Sequence, residues 1–324
     1  MAILKNPEQR DAFSRRLKFA GAAREAWRYV IERTPHSKHK KVLLPAYIGI
    51  TDREGSGIFD PVELAQANPA FYRVDDLLRP DYDDIARQLA NGDVGLILVV
   101  HYFGVVEVDL ARVRALCDAN AVVMIEDCAH VSGVLTAPGP IGQVGDAAFY
   151  SLHKAIAAPS GGMLKINNPS AFLDIDFANA GCDPTVVEQL YATDFETVNR
   201  IRRENYAYIA GRLSGVEGVT VLYPEIGDKI PHDFPICIHD GLREKLYFRL
   251  ADHGMPTVAL YYRMIPEIDR SVYPVSHGIS QSILNLPVHQ ETTLADLERL
   301  LDTLTLELKV LRKETLNAGA ERAD

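Results

Sequence analysis

The sequence alternates short apolar runs with helical patterns, and this alternation restricts the possible fold more than any other feature. Residues 41–45, 95–100 and 121–125 are runs rich in Val, Ile and Leu. Between the last two runs, residues 108–117 place apolar side chains at helical spacing on one face. Continuous apolar strands separated by helices are typical of a parallel sheet buried on both faces. The pattern therefore predicts an α/β fold.

The character of the chain changes near residue 205. A long helix rich in Arg and Glu is predicted over 195–213, followed by apolar strands at 219–223 and 234–238 and a helix at 242–253. A last helix follows Thr292 or Thr293, either of which is a favourable N-cap residue. We therefore expect a large domain over residues 1–204 and a small C-terminal α/β domain over residues 205–324.

Charge and composition exclude several classes of protein. The chain has 34 Lys and Arg residues against 44 Asp and Glu residues, a formal net charge of −10, which argues against non-specific nucleic-acid binding. No apolar stretch reaches the roughly 18 residues of a membrane span, and residues 1–16 contain no apolar signal core. The four cysteines are scattered without a Cys-x-x-Cys pair. A cytoplasmic protein without a metal site is therefore expected.

Polar side chains follow the predicted strands at the points where the strands end. The run 121–125 leads into Asp127 and His130, and the segment after it contains Ser151 and Lys154 ahead of a glycine pair. Ligands of parallel sheets bind at the carboxyl ends of the strands. Each residue alone also has an ordinary structural role, since an aspartate at this position caps helices and a lone lysine is usually solvated.

Taken together, these residues match the needs of pyridoxal 5′-phosphate. That cofactor requires a lysine for a Schiff base, a carboxylate that keeps the pyridine nitrogen protonated, and small polar groups around its phosphate. Asp127 precedes Lys154 by 27 residues, in the order that this chemistry needs. The sequence thus predicts a pyridoxal-phosphate site built on Asp127 and Lys154.

At these residues the chain resembles the DegT-type nucleotide-sugar aminotransferase family, which has the fold-type-I architecture of pyridoxal-phosphate enzymes. The resemblance extends from about residue 42 to residue 308. Its motifs are Leu-Pro-Ala-Tyr at 44–47, Val-Val-His-Tyr-Phe-Gly at 99–104, Ile-Glu-Asp-Cys-Ala-His at 125–130, Gly-Asp-Ala-Ala-Phe-Tyr-Ser at 145–151, Arg-Arg-Glu-Asn at 202–205 and Ile-Leu-Asn-Leu-Pro-Val-His at 283–289. It implies a large domain with a mostly parallel central sheet and a small C-terminal α/β domain.

The resemblance also assigns roles to single residues. It implies that Asp127 contacts the pyridine nitrogen, that His130 approaches the ring hydroxyl, that Ser151 contacts the phosphate and that Lys154 forms the Schiff base. Ser151 and Lys154 are three residues apart, a shorter spacing than in the family, which a small deletion before His153 explains. Some family members carry histidine in place of the lysine and catalyse dehydration, so the adjacent His153 keeps that alternative open.

Three segments depart from the family pattern. Residues 21–24, where the family has a hydroxyl beside the cofactor phosphate, read Gly-Ala-Ala-Arg. Gly49 stands where the family has the aromatic residue that stacks on the cofactor ring, which leaves Tyr47 or Tyr102 as the expected substitutes. The Gly-x-Asn-x-Arg block that reaches the partner subunit's cofactor is not recognisable around residues 179–183.

The resemblance finally implies a reaction and its setting. We expect amino transfer, with glutamate as donor, to a keto sugar linked to a nucleotide in amino-sugar or lipopolysaccharide biosynthesis, carried out by a homodimer. Tyr261 and Arg263 are the expected substrate-binding residues. Two alternatives remain: a pyridoxal-phosphate dehydratase or lyase, and a family member with reduced catalysis that binds cofactor or a partner without turnover.

Overall fold

The computed structural model of the protein describes residues 16–35, 39–132 and 139–320. Residues 1–15, which hold most of the segment expected to lack a signal core, lie outside the described residues. Within the described part of the chain, no helix is both long enough and apolar enough to cross a membrane.

Two sheets and their helices form the structure, and we number the elements in chain order. The first part contains β1 Leu17–Ala20, α1 Ala23–Arg33, β2 Lys41–Pro45, α2 Asp60–Leu64, β3 Asn68–Tyr72, α3 Tyr82–Ala90, β4 Val94–Val100, α4 Leu110–Asn120, β5 Val123–Asp127, β6 Ala147–Ser151 and β7 Gly162–Ile166. The second part contains α5 Pro184–Ala192, α6 Phe195–Leu213, β8 Val219–Val221, β9 Asp233–Ile238, α7 Arg243–Asp252, α8 Pro274–Ser282, β10 Ile283–Pro287 and α9 Leu294–Ala320.

The large sheet has seven strands in the order β1-β7-β6-β5-β4-β2-β3. Strands β3, β2, β4, β5 and β6 run parallel, whereas β7 is antiparallel to β6 and to β1. The register places Val100 opposite Asp127, so the ends of β4 and β5 lie side by side. The predicted α/β fold with a mostly parallel central sheet is therefore confirmed.

The strand predicted over 121–125 lies two residues further along the chain. Helix α4 continues to Asn120, and Ala121 ends it in the left-handed conformation with φ of 52°. The strand then begins at Val123, and its last residue is Asp127. Because the strand is shifted, the carboxylate predicted to follow it is carried by the rigid strand itself.

The second part forms a three-stranded antiparallel sheet, β10-β9-β8, against which α6, α7 and α8 pack, whereas α9 packs on α6 and α7. Thr293 is the N-cap of α9, since its hydroxyl accepts the backbone N–H of Asp296 at 3.2 Å. All strands of the large sheet end by Ile166, and all strands of the small sheet begin at or after Val219. The predicted boundary between residues 204 and 205 falls inside the continuous helix α6 and stays a prediction.

Candidate active site

A cavity of about 600 Å³ opens at the carboxyl ends of β5 and β6. Asp127, the last residue of β5, lines it and is almost fully buried. Its Oδ1 accepts the backbone N–H of Ala129 at 2.8 Å. Burial raises the pKa of Asp127 to about 6, although the bond from Ala129 and the positive charge of Lys154 oppose this rise. The cavity thus holds a carboxylate in a fixed position, and the positive charge of Lys154 favours its ionised form.

Lys154 reaches the same cavity from the turn that follows β6. The turn Leu152–Lys154 is a single 3₁₀ turn, and Nη2 of Arg202 donates to the carbonyl of Lys154 at 3.1 Å. Burial lowers the pKa of the Lys154 amine, whereas the nearby carboxylates Asp127 and Asp233 counteract this effect. A lysine with a lowered pKa is more often uncharged and is therefore a better nucleophile and base.

One end of the cavity is formed by the start of helix α1. Ala22 and Ala23 line it, and Ala22 has no side chain that could cap the first N–H groups of the helix. The hydroxyl of Ser151 also lines this cavity and lies 3.2 Å from Nδ1 of His153. Uncapped N–H groups at a helix start are favourable partners of a phosphate.

Gly162 allows this close arrangement of helix and sheet. A Cβ atom at Gly162 in β7 would lie 2.3 Å from the carbonyl carbon of Ala22. Only a residue without a side chain lets the strand approach the start of α1 this closely. The predicted glycine pair thus has a packing role beside the cavity.

His130 contributes a hydrogen-bond donor of defined orientation. Its Nδ1 accepts the backbone N–H of Phe103 at 3.1 Å, and its ring stacks on His232 with centroids 4.8 Å apart. Burial, assisted by the charge of Lys154, lowers the pKa of His130 well below its ordinary value. The ring is therefore neutral at neutral pH, and its proton lies on Nε2 because Nδ1 acts as acceptor.

Of the three tyrosines singled out in the sequence, Tyr261 lines the cavity, whereas Tyr47 and Tyr102 lie behind it. The hydroxyl of Tyr47 donates to Leu260 O at 3.2 Å, and that of Tyr102 donates to Tyr47 O at 2.5 Å. Both rings are fully buried and make edge contacts with Tyr261. The structure therefore does not bring Tyr47 and Tyr102, the expected cofactor contacts, to the cavity wall.

Tyr261 occupies the space that the glycine at position 49 leaves free. A Cβ atom at Gly49 would lie 2.2 Å from Cδ1 of Tyr261. Two backbone hydrogen bonds hold this contact, from Ile50 N to Arg263 O at 3.0 Å and from Ile265 N to Ile48 O at 3.1 Å. The sequence predicts Tyr261 as a substrate contact, and the structure places it beside the cofactor candidates.

Arg263, the second predicted substrate residue, pairs with another side chain. Its Nη1 lies 3.2 Å from Oδ2 of Asp52, and both side chains are exposed to solvent. It is not among the residues that line the cavity. The structure thus separates Arg263 from Asp127, Lys154, His130 and Ser151, which it brings together.

Two further charged residues near the site were not found from the sequence. Asp233 begins β9, and burial raises its pKa to about 6 against the charges of Lys154 and Arg202. Arg243 begins α7 and lines the cavity. A single charged residue at the start of a strand or helix forms no recognisable sequence motif. Only the folded chain reveals that Asp233 lies near Lys154 and that Arg243 lines the cavity.

One trio of possible metal ligands occurs in the described part of the chain: His101, Glu126 and Cys128. The carboxylate of Glu126 already accepts backbone N–H groups from Gly142 and Gly145 at 2.8 and 2.7 Å and contacts Nε2 of His101 at 2.9 Å. These bonds satisfy its oxygens. The trio is therefore explained as a buried hydrogen-bond network.

A lysine and a buried carboxylate that meet in one cavity at the strand ends of a mostly parallel sheet are typical of fold-type-I pyridoxal-phosphate enzymes. The sequence profile of the DegT/DnrJ/EryC1/StrS aminotransferase family matches residues 59–193 and 185–305, and the chain belongs to this family. The predicted family is thereby confirmed, and its members are pyridoxal-phosphate-dependent sugar aminotransferases.

Known proteins resemble the chain over different extents. GDP-perosamine synthase of Vibrio cholerae is 29% identical over 111 residues, which are 33% of this chain and 29% of that protein. The matched segment thus spans less than a third of this relative. The aminotransferase TlmJ from Streptoalloteichus hindustanus superposes with a TM-score of 0.75 at 21% identity, covering 92% of this chain and 87% of that chain.

A second solved structure gives the same result. The putative sugar aminotransferase Spr1654 from Streptococcus pneumoniae, in its PMP form, superposes with a TM-score of 0.75 at 15% identity, covering 90% of this chain and 88% of that chain. At such low identities these similarities show the fold alone, and they confirm the predicted fold type I.

The residues of the cavity fit pyridoxal phosphate. Asp127 offers a buried carboxylate to a protonated ring nitrogen, and the half-buried Lys154 offers its amine to an aldehyde. The Nε2–H of His130 suits a ring hydroxyl oxygen, while the start of α1 and Ser151 suit a phosphate. Each chemical group of the cofactor therefore has a complementary partner in the cavity.

Proposed function

We propose that the protein transfers an amino group from glutamate to a keto sugar linked to a nucleotide, in amino-sugar or lipopolysaccharide biosynthesis. The observation that carries this proposal is the meeting of Lys154 and Asp127 in one cavity. Family membership supports amino transfer to a sugar, and the name of the relative GDP-perosamine synthase supports a nucleotide-linked substrate.

Pyridoxal phosphate would supply an electron-accepting ring that stabilises negative charge on a substrate carbon. Asp127 supports this chemistry because its carboxylate favours a proton on the ring nitrogen. The buried position of Asp127 strengthens the electrostatic effect, since little water screens its charge. Asp127 is thus the residue that sets the electronic state of the site.

Lys154 would hold the cofactor at rest and move protons during turnover. Burial lowers the pKa of its amine, which makes Nζ a better acceptor for a proton from a substrate carbon. The hydrogen bond from Arg202 to the Lys154 carbonyl fixes the turn that carries this amine. His130 would orient the ring through Nε2–H, which stays protonated while the imidazole is neutral.

The position of His153 bears on the alternative of dehydration. Nδ1 of His153 contacts the Ser151 hydroxyl, and the adjacent Lys154 is the side chain whose amine interacts with Asp127. This arrangement supports Lys154, rather than His153, as the base of the reaction and favours amino transfer over dehydration or elimination. The alternative of a non-catalytic member rests on the altered segment 21–24 and on the missing Gly-x-Asn-x-Arg block. For the first of these, the uncapped start of α1 offers a phosphate site without a hydroxyl.

The decisive experiment is an absorption titration of purified protein with pyridoxal phosphate. We expect a visible band from lysine-bound cofactor, its loss in Lys154→Ala, and its retention in the control Lys309→Ala, which alters an exposed lysine on α9. Glutamate should convert the band of the wild-type protein to that of the amine form. A band that persists in Lys154→Ala would refute the role of Lys154, and a wild-type protein without any band would favour the non-catalytic alternative.

The substrate and assembly need separate measurements. Mass spectrometry of compounds that copurify with the protein, followed by assays with nucleotide-linked keto sugars, tests the proposed acceptor. Size-exclusion chromatography with light scattering tests the proposed homodimer, and the mass of a monomer would contradict it. Fractionation of cells tests the proposed cytoplasmic location.

A further inference from the structure

A second uncapped helix start faces the cavity. Helix α7 begins at Arg243, and Leu242 before it provides no side-chain cap. Both Arg243 and Glu244 line the cavity. The N–H groups of the first turn of a helix carry a partial positive charge, so this end of α7 favours an anion.

The side chain of Arg243 gives a second, independent indication of an anionic ligand. Arg243 is only 8% exposed, and its Nε donates to the carbonyl of Gln281 at 3.2 Å. Its guanidinium carbon lies 6.0 Å from the ring centroid of Tyr262, which is a weak cation–π contact. Among the described residues, no carboxylate lies within ion-pair distance of its guanidinium.

Two other arginines of the same region do have carboxylate partners. Arg249, on the same helix, pairs with Glu307 at 2.9 Å and with Glu314 at 2.9 Å. Arg263 pairs with Asp52. Burying a cation without an opposite charge is costly, and a bound anion would offset that cost.

We propose that Arg243, together with the start of α7, binds an anionic group of a substrate, either the carboxylate of the amino donor or a phosphate of the nucleotide. A guanidinium forms paired hydrogen bonds with either kind of anion. The inference rests on the proposed function because it assigns the ligand to a substrate. It adds a binding residue from the small sheet's helices, whereas Asp127, Ser151 and Lys154 all come from the large sheet.

The test compares Arg243→Gln with Arg249→Gln, which removes a guanidinium from the same helix away from the cavity. In the holoenzyme, glutamate affinity is measured from the change in the visible band, and the affinity for GDP, UDP and dTDP is measured by calorimetry. We expect Arg243→Gln to weaken one of these ligands at least about tenfold, with unchanged cofactor affinity and melting temperature. Arg249→Gln should leave both ligand affinities unchanged.

The identity of the weakened ligand distinguishes the two sources. Loss of glutamate affinity assigns Arg243 to the donor carboxylate, and loss of nucleotide affinity assigns it to a phosphate. Arg243→Lys keeps the charge and should restore part of the affinity, which separates binding from a folding defect. The inference is overturned if Arg243→Gln leaves both affinities within about twofold of the wild type, or if it weakens pyridoxal phosphate instead.

A failure of the proposed function gives a different result. If wild-type protein binds no pyridoxal phosphate or does not respond to glutamate, the proposed aminotransferase activity is wrong. The nucleotide titration still tests Arg243 in that case, because it needs no turnover. A wild-type protein that binds nucleotide and loses this binding in Arg243→Gln would uphold the anion site alone.

Discussion

The two walls of the cavity are built in different ways. The wall at the strand ends consists of Asp127, Ser151 and Lys154, which lie on β5, β6 and the turn that follows β6. The other wall contains Arg243 and Tyr261, which follow more than 80 residues later, and the segment of Tyr261 contacts the loop after β2. A wall made by neighbouring strands is local and rigid, whereas the other depends on the docking of the two parts.

Because the strand-end wall carries Asp127 and Lys154, we expect kcat to depend more on this wall than on the other. Asp127→Asn removes the carboxylate charge that would face the ring nitrogen of the cofactor, while its side-chain oxygen still accepts from Ala129. We expect kcat to fall about thousandfold, because the electrostatic stabilisation of the reaction is lost. Steady-state kinetics with Asp93→Asn, an exposed aspartate paired with Lys41, as the control checks this. A decrease in kcat of less than about tenfold would show that catalysis does not depend mainly on the strand-end wall.

Asp127 should also make the stability of the cofactor-free protein depend on pH. The pKa of Asp127 is about 6 in the folded chain against an ordinary 3.8, so the folded state binds this proton more tightly. The free energy of unfolding therefore falls as the pH rises from about 4 to about 6, by about 3 kcal/mol for this group. Denaturant titrations should show that Asp127→Asn lacks this fall. Parallel pH curves for the two proteins would contradict the prediction.

A third prediction tests the packing of the strand-end wall against α1. Gly162→Ala inserts a methyl group against the backbone of Ala22, so we expect a loss of about 2 kcal/mol in the free energy of unfolding and weaker cofactor binding. Gly211→Ala is the matched control, because its added Cβ meets no atom within 4 Å. In that helical position alanine should be neutral or stabilising by about 1 kcal/mol. Equal stability of Gly162→Ala and wild type would disprove the close contact.

The smallest effect concerns the junction of the two walls. Gly49→Ala pushes against the Tyr261 ring, and we expect a loss of about 1 kcal/mol in cofactor binding free energy, measured by titration of the visible band. Because the two residues touch, the effects of Gly49→Ala and Tyr261→Ala should not be additive in the double variant. Additive effects would show that the two walls act independently.

Much of the fold and the strand-end wall could be predicted from the sequence. The apolar runs identified three of the five parallel strands, β2, β4 and β5, and the helix Phe195–Leu213 has the predicted bounds. The strand at Val123–Asp127 was misplaced by two residues because the left-handed turn at Ala121 has no clear sequence signal. Asp127, Ser151 and Lys154, which the cofactor chemistry and the family resemblance picked out, line one cavity because adjacent parallel strands end at one edge of the sheet.

The sequence by itself determined the α/β class, three strands of the parallel sheet and the polar residues near the strand ends, since hydrophobic periodicity and short-range spacing define them. Only the tertiary structure decided that Tyr261, and neither Tyr47 nor Tyr102, lines the cavity. It likewise decided that Arg263 pairs with Asp52 while Arg243 faces the cavity unpaired by any described carboxylate. These choices depend on backbone hydrogen bonds between distant segments, such as Ile50 N to Arg263 O, which no local pattern records.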